Sequence, residues 1–347
     1  MDNNLRVLIS YVTSTPHQGD KPKVYLVGGD LEEMYRVEFI DYDTGKIVSG
    51  YYTKTNTLTT GGFQWFINWE VKIYRHKDNV LVYSEKYNPT NKVVFIKFDG
   101  RALGDNIAWI PYVEEFRKKH NCTVICSTFH NDLFKNIYPN ILFVKPNTVI
   151  ENVYSQYYVG ASIKNIKYCP IDWDSSNLQL LASKTLGLEH KELRPLLEHN
   201  VSNTKPAIEG KYVCISEFAS TDKKHWKCSG GWQRLVDSLV SRGLKVVVVS
   251  KEPTKLTGVI DLTQNDSLIE VMATIYHSQY YIGLSSGLSW LAWALGKRVV
   301  MISDVTPSWC EFKSNNHRVI KNKIDFVDYD VVDHSSVEDV MQKIDSM

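Results

Sequence analysis

The chain has 347 residues, and its 40 lysine and arginine side chains nearly balance 39 aspartates and glutamates, so its formal net charge at pH 7 is +1. This balance excludes a global electrostatic drive towards nucleic acid or an anionic membrane. No apolar run approaches the length of about 18 residues that suits a membrane-spanning helix, and the first residues lack a signal-peptide pattern. We therefore predict a cytoplasmic protein of two or three domains with no membrane partner.

The first 90 residues predict a small antiparallel all-β domain, a barrel or a sandwich. Turn signals with glycine separate short runs of β-branched and aromatic residues, and no helical pattern appears. The predicted strands are 7–12, 23–27, 35–41, 46–52, 66–74 and 80–87. We interpret residues 88–91 as a linker, and most aromatic side chains of this region, such as Trp65, Phe66 and Trp69, as core.

Strands and helices alternate from residue 92 onwards, which is typical of a parallel sheet with helices on both faces. We first predict strands at 92–98, 123–127 and 141–144, helices at 107–119, 131–138 and 178–186, and irregular structure over 147–175. Strands follow at 211–216, 245–250, 279–283 and 298–303, with helices at 231–242, 267–277 and 288–295. A polar segment at 200–210 indicates a linker, so the predicted domains are 1–90, 91–204 and 205–347.

The most informative segment is the turn between the strand at 279–283 and the helix at 288–295. Residues 283–287 are all small except Leu284, so the backbone can approach a ligand closely, and Gly296 is the expected end of the helix. A helix that begins at such a turn offers free N–H groups and a positive dipole end, which suit phosphate. The alternative is an ordinary turn in which Ser286 caps the helix.

Two further strand ends, at 216–224 and 250–252, are predicted to lie at the same edge, because ligands of parallel sheets sit beyond the carboxyl ends of the strands. The chain has neither the G-x-G-x-x-G motif of dehydrogenases nor a Walker A lysine motif. Two Rossmann-like halves without either motif predict an α/β fold of the GT-B glycosyltransferase type, preceded by the all-β domain.

The six cysteines indicate neither disulfides nor a metal centre. None forms a C-x-x-C pair, and Cys122 and Cys126 flank a predicted buried strand, where packing is their expected role. Structural disulfides do not fit a cytoplasmic chain.

The segment 98–116, with Gly104 and Asp105 at its turn, resembles the Gly-Asp turn of the heptosyltransferase superfamily, and within it the bacterial autotransporter O-heptosyltransferases. The similarity resumes at 127–134, 220–221, 224–226, 231–233, 283–296 and 300–303. The resemblance implies a GT-B fold with an N-terminal β barrel. It also implies transfer, with inversion, of a heptose from a nucleotide-diphosphate sugar, ADP-heptose first, to serine or threonine hydroxyls of a protein.

One departure from that family concerns metal binding. Its members carry a cysteine-rich, iron-binding segment after the last strand, whereas this chain has no cysteine beyond Cys310. The resemblance therefore does not extend to an iron site. Several charge-assisted hydrogen bonds to the donor diphosphate can together replace a metal ion, so we predict a reaction that needs no metal ion and no cofactor other than the sugar donor.

Two alternative functions remain. The Asn-, Lys- and Tyr-rich composition would suit a phage protein, for which hydroxymethylated cytosine in DNA is the alternative acceptor. The other alternative is a non-catalytic nucleotide-sugar-binding protein, which the joint presence of Asp105, Lys224 and the turn at 285–287 disfavours.

Asp105 is the predicted catalytic base, and this assignment depends on the resemblance. By its spacing alone, Asp105 would be interpreted as a helix cap in the turn before the helix at 107–119. Asp99 lies in the same predicted loop and is the second candidate for the base.

Lys224 is the predicted ligand of the donor diphosphate, since an ammonium suits a leaving phosphate. The choice of Lys224 over its neighbours Lys223 and Lys227 also comes from the resemblance. The remaining predicted donor-binding residues are Thr221, Ser285, Ser286, Gly287 and Leu288 around the diphosphate, and Ser250 and Glu252 towards the ribose. Glu311 and Phe312 are a further candidate contact with the donor.

Overall fold

The structure is a computed structural model that describes residues 5–11, 22–62, 65–160, 171, 177–304, 306, 310–320 and 334–347. The chain divides into two compact units, each assembled from three stretches. The first comprises Met1–Gly100, Tyr112–Asn131 and Tyr138–Lys191, and the second Arg101–Pro111, Asp132–Ile137 and Glu192–Met347. Within the described ranges, every helix is too short or too polar to cross a membrane.

The N-terminal part of the first unit consists of two antiparallel sheets. Three strands, β1 (Arg6–Ser10), β2 (Lys23–Val27) and β5 (Leu58–Thr60), pair in the order β1-β2-β5. Four strands, β3 (Tyr35–Asp41), β4 (Lys46–Thr53), β6 (Trp69–Arg75) and β7 (Val80–Lys86), pair in the order β4-β3-β6-β7. Alternate residues of β3, namely Tyr35, Val37 and Phe39, are fully buried, as the period of two in a strand requires. The predicted start of a strand at residue 66 is wrong, since β6 begins at Trp69, and Val12 lies outside the described residues.

A four-stranded parallel sheet forms the rest of the first unit. Its strands are β8 (Val93–Phe98), β9 (Thr123–Ser127), β10 (Ile141–Val144) and β11 (Ser155–Val159), in the order β10-β9-β8-β11. The helices of this region are α1 (Leu103–His120), α2 (Asn131–Phe134) and α3 (Leu178–Thr185). The prediction of irregular structure over 147–175 is wrong where β11 lies, and α2 ends at Phe134 rather than at residue 138.

Helix α1 begins four residues before its predicted start. Its first turn is closed by Asn106, whose backbone N–H and side-chain amide both donate to the Ala102 carbonyl, at 3.2 and 2.9 Å. Asp105 is therefore a residue of the first helical turn. The prediction that it lies in a loop before the helix is wrong.

Phe66 is the centre of an aromatic cluster in the first unit. Its ring lies 6.1 Å from the ring of Phe116 and 5.2 Å from that of His120. Its N–H donates to the Thr185 carbonyl at the end of α3. The next turn passes so close that a Cβ atom on Gly187, which has a φ of +63°, would lie 2.1 Å from Phe66 Cδ1. The interpretation as core is confirmed for Trp69, which is 2% exposed, whereas Trp65 and Phe66 are half-buried.

We expect the substitution Gly187→Ala to destabilise the protein for two reasons. The new methyl group must displace the Phe66 ring, and the alanine backbone must adopt a left-handed conformation that residues with a side chain disfavour. The matched control is Gly45→Ala, which has a φ of +69° and nothing within 4 Å of its Cβ position. Gly45→Ala should lower the free energy of unfolding by about 1 kcal/mol, and Gly187→Ala by a further ~1–3 kcal/mol, as measured by urea denaturation. Equal losses in the two variants would show that crowding against Phe66 contributes nothing.

The second unit contains a six-stranded sheet in which every pairing is parallel. Its strands are β12 (Tyr212–Ile215), β13 (Lys245–Val248), β14 (Ile260–Asp261), β15 (Tyr281–Leu284), β16 (Val299–Ile302) and β17 (Asn316–Val319). They lie in the order β14-β13-β12-β15-β16-β17. The helices after residue 200 are α4 (Gly231–Ser241), α5 (Leu268–His277), α6 (Gly287–Ala294) and α7 (Val337–Asp345). The sequence analysis predicted neither β14, β17 nor α7.

Glycine ends two of these helices as predicted. Gly243 and Gly296 follow α4 and α6 with φ angles of +78° and +75°, the left-handed conformation in which glycine is favoured. Helix α6 is buried on all sides between Ser289 and Ala294, so it is a core helix rather than an amphipathic one.

Candidate functional site

The strand order of the second unit reverses between β12 and β15. From β12 the chain proceeds outwards through β13 and β14, and it then returns to pair β15 with the opposite edge of β12. In doubly wound sheets the crevice at such a reversal, beyond the carboxyl ends of the strands, is where ligands bind. A ligand site is therefore expected at the loops that follow β12 and β15.

Lys224 and Ser285 meet in this crevice. The loop after β12 continues into a short 3₁₀ helix, Asp222–Lys224, whose last residue is half-buried. Lys224 Nζ donates to the Ser285 carbonyl oxygen at 3.2 Å, directly beyond the end of β15. Thr221 is exposed and begins the 3₁₀ turn, where its carbonyl accepts the Lys224 N–H at 3.0 Å.

The turn itself is shorter than predicted. Gly283 lies inside β15, so only Ser285 and Ser286 separate the strand from α6. Ser286 occupies the N-cap position in an extended conformation, yet its side chain makes no capping bond. Its Oγ atom is buried and has no hydrogen-bond partner among the described residues. The interpretation of Ser286 as an ordinary cap is therefore wrong.

The start of α6 retains donors for an anion. The N–H groups of Ser289 and Trp290 donate back to the Ser286 carbonyl, which leaves those of Gly287 and Leu288 without an intrahelical partner by helix geometry. Leu288 is half-buried. A buried hydroxyl, two N–H groups and a lysine ammonium thus lie at one helix N-terminus, an arrangement that suits phosphate.

The first turn of α1 packs directly against the first turn of α6. A Cβ atom on Gly287 would lie 3.0 Å from Leu103 Cβ and 3.3 Å from Gly104 N. A Cβ atom on Gly104 would lie 3.0 Å from Trp290 Cδ1. Asp105, the next residue, is half-buried. The second unit therefore brings the turn that carries Asp105 together with the turn that carries Ser286.

Asp99 belongs to the first unit. Its N–H donates to the Val159 carbonyl at 3.1 Å, at the end of β11. Its carboxylate lies against Gly160, where a Cβ atom would be 2.1 Å from Asp99 Oδ2. Burial raises the pKa of the neighbouring Tyr158 to about 12, and the negative charge of Asp99 contributes to this rise.

Ser250 and Glu252 form the turn after β13. The Ser250 hydroxyl accepts the Glu252 N–H and donates to the Glu252 carbonyl, both at 2.9 Å. Ser250 is 8% exposed, whereas Glu252 is exposed to solvent. The structure thus gives the Ser250 hydroxyl a role in the turn and leaves the Glu252 carboxylate accessible.

Two acidic residues lie near the crevice, and the sequence indicated a role in the site for only one of them. Glu217, just after β12, accepts a hydrogen bond of 2.5 Å from Thr254 Oγ1. Glu311, weighed only as a donor contact, is 2% exposed and so is not open to a ligand. Burial raises the pKa of the Glu311 carboxyl, an effect that Arg318 and several hydrogen bonds oppose. No sequence signal distinguished Glu217 from a surface acid.

Among the residues that the structure describes, no three His, Cys, Asp or Glu side chains converge in a way that could hold a metal ion. The described cysteines are Cys122, Cys126, Cys214, Cys228 and Cys310, all of them free, whereas Cys169 lies outside the described residues. The prediction of a metal-independent reaction stays a prediction.

Two α/β units with parallel sheets, and a crevice where the strand order of the second sheet reverses, are features of a GT-B-like glycosyltransferase. The chain aligns with TibC from enterotoxigenic E. coli, a dodecameric iron-containing heptosyltransferase solved in complex with ADP-D-β-D-heptose. The TM-score is 0.82 at 23% identity, and the alignment covers 96% of this chain and 98% of TibC. This likeness confirms the predicted GT-B-like fold, but not a barrel or sandwich at the N-terminus.

Sequence comparison gives the family. The model of glycosyltransferase family 9 (heptosyltransferase) matches residues 175–309. The chain is 30% identical over 296 residues to the autotransporter heptosyltransferase BAHTCr of Citrobacter rodentium, covering 81% of this chain and 71% of BAHTCr. It is also 30% identical over 254 residues to BimC of Burkholderia thailandensis, an inactive autotransporter heptosyltransferase, covering 70% of this chain and 59% of BimC. The chain therefore belongs to the autotransporter heptosyltransferases of glycosyltransferase family 9, and the predicted resemblance is confirmed.

Proposed function

We propose that this glycosyltransferase moves a heptose from ADP-heptose to a serine or threonine hydroxyl of a protein, with inversion at the sugar carbon. The names of its relatives support a heptose donor and an autotransporter acceptor. The single observation that carries the proposal is the Lys224–Ser285 contact of 3.2 Å at the N-terminus of α6. Neither the DNA acceptor nor the binding-only alternative gains support from the site.

The anion site accounts for the leaving group. As the bond between the sugar C1 and the diphosphate oxygen breaks, negative charge develops on that oxygen. Lys224 Nζ, Ser286 Oγ and the N–H groups of Gly287 and Leu288 are the groups proposed to receive it. Each charge-assisted hydrogen bond contributes about 1.5–3 kcal/mol, so the chain's own groups supply charge stabilisation without a metal ion in the proposed reaction.

Asp105 is the proposed base. Its carboxylate takes the proton of the acceptor hydroxyl while the acceptor oxygen forms its bond to C1. The support for this role is its place in the first turn of α1, directly after the glycine that packs on α6. Asp99 stays the second candidate.

The remaining assignments complete the proposal. We propose Glu252 as the partner of the ribose hydroxyls, with Thr221 and Ser250 shaping the two loops around it. We propose the segments 1–90, 91–204 and 205–347 as an accessory, an acceptor-side and a donor-side domain. With a nucleotide sugar as co-substrate, the proposed compartment is the cytoplasm.

The substitution Lys224→Met should weaken the binding of ADP and of ADP-heptose about ten- to a hundredfold, and it should also lower kcat. The reason is the loss of the only charged donor proposed for the diphosphate, while the length of the side chain is kept. Isothermal titration calorimetry measures binding, and mass spectrometry of a serine-containing autotransporter passenger measures transfer. The matched control is Lys227→Met, an exposed lysine of the same loop, which should bind as the wild type does.

Two outcomes would contradict the proposal. If Lys227→Met loses affinity and Lys224→Met does not, the phosphate is assigned to the wrong lysine. If the wild type binds neither ADP nor ADP-heptose, the proposed donor is wrong. If the wild-type protein binds ADP-heptose but modifies no passenger, the chain is instead an inactive heptosyltransferase, as BimC is.

A further inference from the structure

The first unit contains a cavity of about 800 Å³ that the proposed reaction does not use. It lies where the turn between β3 and β4, the loop 65–68, the segment 87–90 and the C-terminal end of α1 meet. Every residue that lines the cavity belongs to the first unit. Its volume is within the range of about 300–1,000 Å³ that is typical of small-molecule sites. The cavity is therefore large enough for a small organic ligand.

Aromatic side chains line part of this cavity. Trp65 is half-buried, so part of its surface is open to a ligand. The neighbouring ring of Phe66 is held from behind by Phe116 and His120. Lys119 Nζ lies 5.8 Å from the centre of the Phe66 ring. The aromatic part of the cavity is thus fixed by the core of the unit, and it offers a flat apolar surface to the flat face of a ligand.

Planar polar side chains line another part of the cavity, and the structure fixes their orientations. Asp41 accepts two hydrogen bonds from its own turn. Asn68 Nδ2 donates to Asp43 Oδ1 at 3.0 Å, and Asn88 Oδ1 accepts the Thr90 N–H at 3.1 Å. A carboxylate has about four acceptor positions and a side-chain amide has two N–H donors. These bonds therefore orient the groups without using up their capacity to bind a ligand.

The charges that line the cavity balance one another. Asp41 and Asp43 supply two negative charges, and Lys46 and Lys119 supply two positive ones. His120 is neutral at pH 7, because burial and the positive charge of Lys119 lower its pKa to about 4. This balance favours a neutral ligand over a phosphate or an ammonium group.

We propose that this cavity binds a neutral sugar ring, whose C–H-bearing face packs on Trp65 and whose hydroxyl groups bond to the carboxylate of Asp43 and the amide of Asn88. A sugar ring has both an apolar face and a rim of hydroxyl groups, so it matches both parts of the lining. The inference goes beyond the proposed function and does not depend on the identity of the sugar donor, because the donor crevice is built from other residues. A free sugar and a sugar already attached to a protein share this chemistry.

The test is titration with neutral methyl glycosides of mannose, glucose and galactose, followed by saturation-transfer difference NMR. We expect the wild type to bind at least one of them with a millimolar Kd. The substitution Trp65→Ala should weaken this binding about tenfold, because it removes the apolar contact. The matched control is Tyr52→Ala, which removes a tyrosine of β4 that is 58% exposed and lies outside the cavity lining, and which should bind as the wild type does.

Asn88→Ser tests the polar part of the site and still decides the question if Trp65→Ala fails to fold. Serine can accept the Thr90 N–H as asparagine does, but it lacks the amide donors. We expect its affinity for the glycoside to fall about fivefold, the equivalent of one hydrogen bond. The affinity of both variants for ADP should stay within about twofold of that of the wild type.

Three results would overturn the inference: no binding of any of the three glycosides, binding that neither Trp65→Ala nor Asn88→Ser weakens, or tighter binding of mannose 6-phosphate than of the methyl mannoside. A serine peptide that carries an O-linked mannose separates the two sources of the sugar. Tighter binding of this peptide than of the methyl mannoside assigns the cavity to a glycosylated protein, and equal binding assigns it to a free sugar. Loss of sugar binding with normal ADP binding would leave the proposed function standing.

Discussion

Replacing Asp105 by asparagine is expected to lower kcat for sugar transfer by about 10²–10⁴-fold, the usual contribution of a general base. Asparagine has nearly the same shape and can still accept a hydrogen bond from a helical N–H, but it cannot take up a proton from the acceptor. The Kd for ADP should stay within about twofold, because the base does not contact the leaving group in the proposed arrangement. Single-turnover transfer assays and calorimetry measure the two quantities.

The same substitution separates the base from a helix cap. A carboxylate in the first turn of a helix stabilises it by about 0.3–1 kcal/mol through the helix dipole, so a cap alone would give a small fall in melting temperature and normal turnover. The matched control is Asp99→Asn, because Asp99 is the second candidate. Normal transfer by Asp105→Asn together with strong loss in Asp99→Asn would move the base to Asp99.

The substitution Trp293→Ala is expected to lower the free energy of unfolding by about 3–5 kcal/mol, the range for a fully buried tryptophan. Trp293 has no exposed surface, stacks on Phe312 and meets Trp290 edge to face at 5.4 Å. Its Nε1 atom donates to Ser314 Oγ at 2.9 Å. Alanine would leave a cavity in α6 beneath the segment that carries Glu311. Urea denaturation followed by circular dichroism measures the loss.

Trp293→Phe is the matched control for that experiment. Phenylalanine keeps an aromatic ring against Phe312 but loses the bond to Ser314, so its cost should be only about 1–2 kcal/mol. Equal losses in the two variants would show that the buried ring contributes nothing beyond its hydrogen bond. Because α6 directly follows Ser285 and Ser286 of the proposed diphosphate site, Trp293→Ala should weaken ADP binding more than Trp293→Phe does.

Local sequence patterns predicted the strands with regular alternation or dense β-branching. Lys23–Val27, Tyr35–Asp41, Thr123–Ser127 and Ile141–Val144 have the predicted bounds. Ser155–Val159 was missed although all five residues are buried. Its burial comes from distant parts of the chain: α3, β8 and the bridge of Ser155 to Tyr11. Asn316–Val319 was missed for a different reason, because three of its four side chains are polar.

The start of α1 illustrates how packing overrides a local signal. Gly104 normally indicates a turn, because glycine is unfavourable inside a helix by roughly 1 kcal/mol. Here the absence of a side chain lets the helix continue against α6. The contact of Gly104 with α6 cannot be deduced from the local sequence, so the helix was predicted to begin four residues too late.

In the candidate site, the meeting of Lys224 with the Ser285 loop followed from parallel-sheet topology and the family resemblance. The roles of both residues stay predictions. The missing capping bond of Ser286 could not be predicted, because serine is a usual N-cap residue and the sequence does not show that its buried hydroxyl makes no hydrogen bond. The turn formed by Ser250 was likewise hidden in the sequence, since any serine before a proline-containing loop looks available to a ligand.

The contact between Gly104 and Gly287 has a consequence for how the protein forms during synthesis. The first turn of α1 leaves the ribosome long before α6 has been translated, so its partner surface does not yet exist. Contacts between residues so distant in sequence are slow to form. A domain reaches its native structure only when all of its segments have left the ribosome. We expect nascent chains arrested before residue 287 to expose Leu103 and its neighbours to chaperones, and the turn that carries Asp105 to be among the last parts of the molecule to become ordered.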